Sequence, residues 1–378
     1  MNRSLEILDH LIGFNTLNSR SNLHMVNFIE EFLVSRGFRV HRLADPAEEK
    51  AGLYAEIGPE TEGGVVLSAH SDVVPVDGQT WTRPPFRLIR EGDWLYGRGT
   101  TDMKGFLAEM LAVADKASTM MLKVPLKLLI SYDEEIGCVG IERMRERLIP
   151  LIGSPRLAIV GEPTEMRVAT GHKGKRAYRA HLAGQAGHSS LAPNYISALQ
   201  VGVDFVMALR RLQEDIRETG ACDPEFDVPY TTLHVGTFRS GTALNIVPDA
   251  AELTYEFRHV PEDDPDVLEQ RIADAAQAVT PRQLGSTGIR IDRQASYPGL
   301  RMAATHDAVK QAQVWAGTET CKVGFGTEAG VLSEMGIPSV VCGPGSMDTH
   351  GHKADECISI SQLNACAQML DKVLKSLC

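Results

Sequence analysis

The chain has 378 residues, enough for two or three domains of ordinary size. Hydrophobic residues make up 43% and charged residues 23%, which excludes a disordered chain, a collagen-like fibre and a coiled coil. The 38 basic and 49 acidic residues give a formal charge of −11, which argues against nucleic acid as a partner but allows a small anionic substrate at a locally positive site.

The N-terminal stretch MNRSLEILDHLIGFNTLNSR carries Asp9 and His10 inside its apolar run, so it lacks a signal-peptide core. Apolar runs elsewhere fall short of the roughly 20 residues that cross a bilayer. Seven cysteines, odd in number and without a CxxC pair, suit reduced thiols better than a disulfide framework. The expectation is a cytoplasmic protein with neither membrane nor nucleic acid as partner.

In chain order, residues 22–36 are spaced as a helix and stop at Gly37. Strand-like runs follow at 63–70 (GGVVLSAH), 124–135 (VPLKLLISYDEE) and 156–163 (RLAIVGEP), with a helix at 102–118 between the first two. Strands separated by helices predict a mostly parallel sheet in a mixed α/β domain. The middle reads differently. A strand at 175–183, a helix at 197–216, strands at 231–239 and 251–260, a helix at 265–279 and a strand at 288–294 form a βαββαβ series. Beyond it, 337–346 is again a buried-strand pattern and 359–377 a helix. The predicted division is a catalytic domain from 1–172 and 287–378, interrupted by a small ferredoxin-like domain over 173–286.

Acids and histidines gather where the first domain's strands end. His70 closes VVLSAH, and Asp72, two residues on, can lie on the same face and accept its imidazole N–H. Asp102 lies in the Gly-bearing turn GRGTTDMKG at a helix start, where a plain N-cap is the ordinary explanation. SYDEEIG brings Asp133, Glu134 and Glu135 to a strand end, and VGEPT brings Glu162. Ligands of open α/β sheets collect beyond the carboxyl ends of strands. The C-terminal GPGSMDTHGHKADE adds His350 and His352. Histidines mixed with carboxylates suit zinc, cobalt or manganese, and there are too many for one tetrahedral ion. Two divalent ions sharing His70, Asp102, Glu135, Glu162 and one C-terminal histidine leave Glu134 as general base. The residues alone therefore predict a two-metal hydrolase.

Taken in order, SAHSDVVP, LYGRGTTDMKG, SYDEEIG, VGEPT and GPGSMDTHGHKADE resemble the dizinc metallopeptidase family that includes acetylornithine deacetylases, succinyl-diaminopimelate desuccinylases, aminoacylases and carboxypeptidases. The resemblance implies a zinc-exopeptidase-like catalytic domain with an inserted lid and dimerisation domain. It makes His70 and Glu162 ligands of one ion, Glu135 and His352 ligands of the other, and Asp102 the bridge. Asp72 would orient His70, and Glu134 would be the base. In the lid, GQAGHSS gives His188 as an oxyanion donor reaching a neighbouring subunit, LNIVP gives Asn245, and YEFR gives Arg258 to hold the substrate carboxylate. The register of HKADE selects His352, whereas distance from GPGS leaves His350 open. The implied reaction is hydrolysis of an N-acyl amino acid, N-acetylornithine first, in a homodimer with two zinc ions, cobalt being able to substitute. The alternatives are another N-acyl amino acid or succinyl-diaminopimelate, and a catalytically silent paralogue.

Overall fold

A computed structural model describes residues 3–378, which divide into two compact units. The first comprises the chain to His172 together with Leu300–Cys378, and the second comprises Lys173–Gly299.

The first unit opens with α1 (Arg3–Gly13), α2 (Leu23–Val34), β1 (Arg39–Ala44), β2 (Ala51–Ile57) and β3 (Val65–His70). There follow β4 (Ile89–Glu91), β5 (Trp94–Tyr96), α3 (Lys104–Ala117), β6 (Leu126–Ser131), α4 (Val139–Ile152), β7 (Leu157–Pro163) and β8 (Val168–His172). The second unit contains β9 (Gly174–Ala183), α5 (Ala198–Thr219), β10 (Thr232–Ser240), β11 (Ala250–His259), α6 (Pro265–Val279) and β12 (Ile289–Tyr297). The chain then returns to the first unit through β13 (Leu300–Arg301), α7 (Asp307–Ala316), β14 (Thr320–Val323) and α8 (Ala329–Glu334). It ends with β15 (Ser339–Gly343), β16 (Cys357–Ser359) and α9 (Ile360–Lys375).

The main sheet runs β1-β2-β6-β3-β7-β15-β8-β13, with β14 beside β8. Its centre, β6-β3-β7-β15, is parallel, and antiparallel strands extend it on either side. Every residue of β3, β6, β7 and β15 is buried, which is why these strands read as mostly apolar runs and not as alternations. Helix α3 is buried along most of its length and lies close enough to β7 that a Cβ on Gly161 would fall 1.9 Å from the Phe106 ring. Only glycine permits that approach. Because β3, β6 and β7 are parallel, their carboxyl ends emerge at one edge, and there the acids and His70 collect.

The second unit is an antiparallel sheet in the order β10-β11-β9-β12, on whose apolar face α5 and α6 bury Phe205, Leu209, Leu268 and Ile272. The strict alternation of burial along β11 shows one covered face and one open face. The expected boundary at 286 falls instead after Gly299. Strand β12 forms an antiparallel ladder with β9 from Ile289↔Leu182 to Tyr297↔Lys175, and those hydrogen bonds bind it to the second unit. No helix among the described residues is long and apolar enough to cross a membrane.

Candidate metal centre

His70, the last residue of β3, is 1% exposed. Its Nε2 lies 2.9 Å from Asp102 Oδ1 and 3.5 Å from Glu162 Oε1. Its Nδ1 faces Asp72, 3.0 Å from the carbonyl oxygen and 3.4 Å from Oδ1. The shorter of these contacts is to the backbone carbonyl and not to the carboxylate expected from the sequence. The two Asp72 carboxylate oxygens accept the backbone N–H groups of Glu134 (3.2 Å) and Glu135 (3.1 Å), tying the end of β3 to the acidic turn after β6. The first acid of that turn, Asp133, points elsewhere and pairs with buried Lys50 at 2.7 and 2.8 Å.

Asp102 precedes α3 without capping it. The N-cap is Met103, and no side chain bonds to the exposed helix N–H groups there. The Asp102 carboxylate instead spans two histidines: Oδ1 meets His70, and Oδ2 lies 3.0 Å from His352 Nε2. The same His352 nitrogen is 3.0 Å from Glu135 Oε2. His350 is engaged otherwise, its ring against Trp94 with centroids 5.0 Å apart and its Nδ1 2.9 Å from the Thr349 hydroxyl. Of the two C-terminal histidines, His352 therefore faces the acids. Two candidate ligand sets result, His70–Asp102–Glu162 and Asp102–Glu135–His352, each with its ligand atoms within 4.8 Å of one another and with Asp102 common to both.

The electrostatics suit cations. Burial and the neighbouring Asp102 charge push Glu135 up to about 7, and burial with the same charge raises Glu162 well above the carboxylate range. Burial opposes a charged His352, but Asp102 and Glu135 outweigh it and lift its pKa to about 10. Burial likewise opposes a charged His70, yet Asp102 and Asp72 raise it well above its ordinary value. Glu135 Oε1 is buried without a hydrogen-bond partner. Carboxylates packed so closely require protons or metal ions among them, and this mixture of imidazole and carboxylate donors fits divalent transition metals.

A model of peptidase family M20/M25/M40 matches residues 66–376. The chain belongs to this family. Acetylornithine deacetylase of Pectobacterium carotovorum subsp. carotovorum (strain PC1) is 30% identical over 360 residues, covering 95% of this chain and 92% of that protein. The acetylornithine deacetylase of Shigella sonnei (strain Ss046) matches to the same extent. Among solved structures, the M20 family metallo-carboxypeptidase Sso-CP2 from Sulfolobus solfataricus superimposes with a TM-score of 0.81 at 22% identity, covering 99% of each chain. The Bacillus subtilis YXEP protein, a dinuclear metal binding peptidase of the M20 family, does so with a TM-score of 0.71 at 15% identity, covering 99% of this chain and 98% of that one. The chain thus has the M20 mixed α/β fold and is a hydrolase of that family, with candidate ligands for a dinuclear centre.

The structure also places beside the candidate centre a buried acid that the motifs did not single out. Glu328, the N-cap of α8, is 1% exposed, and burial pushes it up to about 7 while the nearby Ser131 hydroxyl and His70 act in the opposite direction. Its charge also acts on Glu134. A lone acid in GFGTEAGVL, between two glycines and an apolar run, was the available signal. Glu134 itself is driven well above its ordinary pKa by burial, and its Oε1 accepts only a weak bond from the Cys138 thiol, at 3.4 Å.

In the second unit, His188 and Asn245 come together. His188 pairs with Ile246 in an isolated bridge, and Ser189 N–H donates to the Asn245 carbonyl at 3.0 Å. His188 Nδ1 accepts the Ser190 N–H at 3.2 Å, capping a short 3₁₀ turn (Ser189–Asn194), and the ring is exposed. Arg258 is not with them. It sits opposite Lys175 at the far end of the β11/β9 ladder, whose near end is Ala250↔Ala183. Arg258 lies eight residue steps along the strand from Ala250, or roughly 27 Å at the usual rise. Its Nε donates to Glu256 at 2.9 Å.

Proposed function

We propose that this M20 chain hydrolyses an N-acyl amino acid, N-acetylornithine first, to ornithine and acetate, a step of arginine biosynthesis. The observation that carries the reading is the pair of ligand sets sharing Asp102, with Glu134 beside them and committed to no cation. Identity of 30% to acetylornithine deacetylases along 95% of the chain supports the substrate. His70, Asp102 and Glu162 would hold one divalent ion, and Asp102, Glu135 and His352 the other. Zinc is the first candidate, with cobalt able to replace it. Such ions, when bound, supply polarisation of the amide carbonyl and a lowered pKa for water. Glu134 takes the proton of the attacking water as the C–O bond forms, then passes it to the leaving nitrogen as the C–N bond breaks. His188 donates to the developing oxyanion, Arg258 pairs with the substrate carboxylate, and Asn245 holds the substrate. Seven cysteines with no CxxC pair suit a reducing cytoplasm.

The test is acid release from acetylornithine, acetylcitrulline, acetylmethionine and succinyl-diaminopimelate by zinc-loaded protein. Acetylornithine should give the highest kcat/KM. A higher value with any other substrate would reassign the specificity, and no release from any would end the N-acyl amino acid reading.

The separation of His188 and Asn245 from Arg258 within one second unit supports a homodimer in which each site draws on two chains. The second unit also offers an open edge strand, β10, and an apolar stripe of Leu199, Val203 and Met207 on α5, each 39–46% exposed. Mixing inactive Glu134→Ala and His188→Ala chains should restore activity through one intact site per mixed dimer. No recovery despite demonstrated subunit exchange would exclude the shared site.

A further inference from the structure

Asp102 and His352, which face each other at 3.0 Å, both lie on irregular backbone, Asp102 after the Gly97–Thr101 turn and His352 in the loop between β15 and β16. No strand or helix sets their separation. One buried side chain joins the two segments. Glu356, four residues after His352 and 1% exposed, directs both carboxylate oxygens into the turn that precedes Asp102. Its Oε1 accepts the N–H groups of Thr101 (2.9 Å) and Asp102 (3.1 Å). Its Oε2 accepts the Gly99 N–H (2.9 Å) and Arg98 Nη1 (2.8 Å). Its own carbonyl accepts the Gly97 N–H at 2.9 Å.

Arg98 extends the connection to the other side of His352. Fully buried, it donates to the Lys353 carbonyl (3.3 Å), the Pro75 carbonyl (3.2 Å) and Gln79 Oε1 (2.5 Å). The Gln79 amide in turn donates to the His352 carbonyl at 2.8 Å. The backbone of Asp102 and the backbone of His352 are thus both fastened to the Arg98–Glu356 pair.

We propose that Glu356, with Arg98, is the positioning residue that fixes Asp102 against His352 and so sets the spacing of the two cations. The assignment rests on the two-metal reading above. The partners of the Glu356 carboxylate are Arg98 and the backbone of Gly99, Thr101 and Asp102, so it acts through the backbone of Asp102. The chemistry demands a carboxylate, because three backbone N–H groups and a guanidinium converge on it and an acid anion offers only acceptors. A glutamine of the same shape turns an NH₂ group toward donors and leaves at least one of them without a partner. An aspartate, one methylene shorter, fails to span both sets.

The test compares wild type, Glu356→Gln and the milder Gln79→Ala. Cobalt(II) is titrated against a competing chelator, and far-UV circular dichroism and melting of the metal-free protein monitor the fold. Wild type should bind two ions. Glu356→Gln should keep its far-UV spectrum at the titration temperature yet bind the weaker ion at least tenfold less tightly. Gln79→Ala should weaken the same ion by about threefold without lowering the metal-free melting temperature. Wild-type affinity for both ions in Glu356→Gln, with or without a lower melting temperature, would reduce the residue to a structural role and overturn the proposal. If Glu356→Gln does not fold, unchanged affinity in Gln79→Ala overturns it. Fewer than two ions on the wild type would be a different result, removing the two-metal reading and this assignment with it.

Discussion

Two groups of buried acids lie side by side in the first unit, and they differ in what surrounds them. Glu356, Asp72 and Asp133 are saturated by fixed donors: backbone N–H groups and Arg98, backbone N–H groups and His70, and Lys50. Asp102, Glu135 and Glu162 are short of donors, share two imidazoles and face one another. Burial is similar in the two groups, so burial does not separate the acids that hold the backbone from the candidate ligands. The donor supply does. A carboxylate whose acceptors are all filled by the fold holds backbone in place and binds nothing further. One left among like charges requires a mobile cation, and it marks the site.

The largest test of this contrast lies in the acidic turn, where three consecutive acids have three different surroundings. Glu134→Ala should lower turnover by about 10²–10⁴-fold, the usual worth of a general base, while metal content stays near that of wild type. Glu135→Ala should lose metal affinity. Metal analysis with steady-state kinetics checks both, and reversed phenotypes would exchange the two roles.

A smaller effect concerns an acid that is short of donors but far from any ligand set. Glu109 on α3 is 3% exposed, and its Oε1 has no hydrogen-bond partner. Burial pushes its pKa from 4.5 to about 7, against the opposing influence of the Ser4 hydroxyl and Lys116. With no second cation partner, this acid takes a proton. A folded-state pKa above the unfolded one stabilises fully below 4.5, and that stability is lost as pH rises through 7. The loss amounts to about 3 kcal/mol across this window. Glu109→Gln should therefore match wild type near pH 4.5 and exceed it in stability above pH 7. Urea unfolding of the metal-free proteins across that range measures the difference, and parallel pH profiles would show that Glu109 remains ionised in the fold.

Much of the site was legible because each strand delivers its chemistry within a few residues of its end. His70, Glu134, Glu135 and Glu162 follow apolar runs, and a run of buried residues that stops at an acid is visible in one dimension. Asp102 was legible as a candidate, but only the fold separates helix cap from candidate ligand, since a cap and a bridge share the same local sequence. The boundary at 299 was not legible, because β12 belongs to whichever sheet accepts its hydrogen bonds. Glu328 was overlooked because nothing near it in the chain repeats or clusters.

The sequence by itself determined the strand–helix alternation, the inserted βαββαβ order and the residue types available at the strand ends. These follow from apolar periodicity and local chain stiffness, which act over a few residues. Only the tertiary structure decided that His352 and not His350 meets Asp102 and Glu135, that Asp133 belongs to Lys50, and that Glu356 joins two distant loops. Those outcomes depend on which donors the folded backbone brings within about 3 Å of which acceptors. Residues far apart in sequence compete for the same carboxylate, and only closure of the sheet settles the competition.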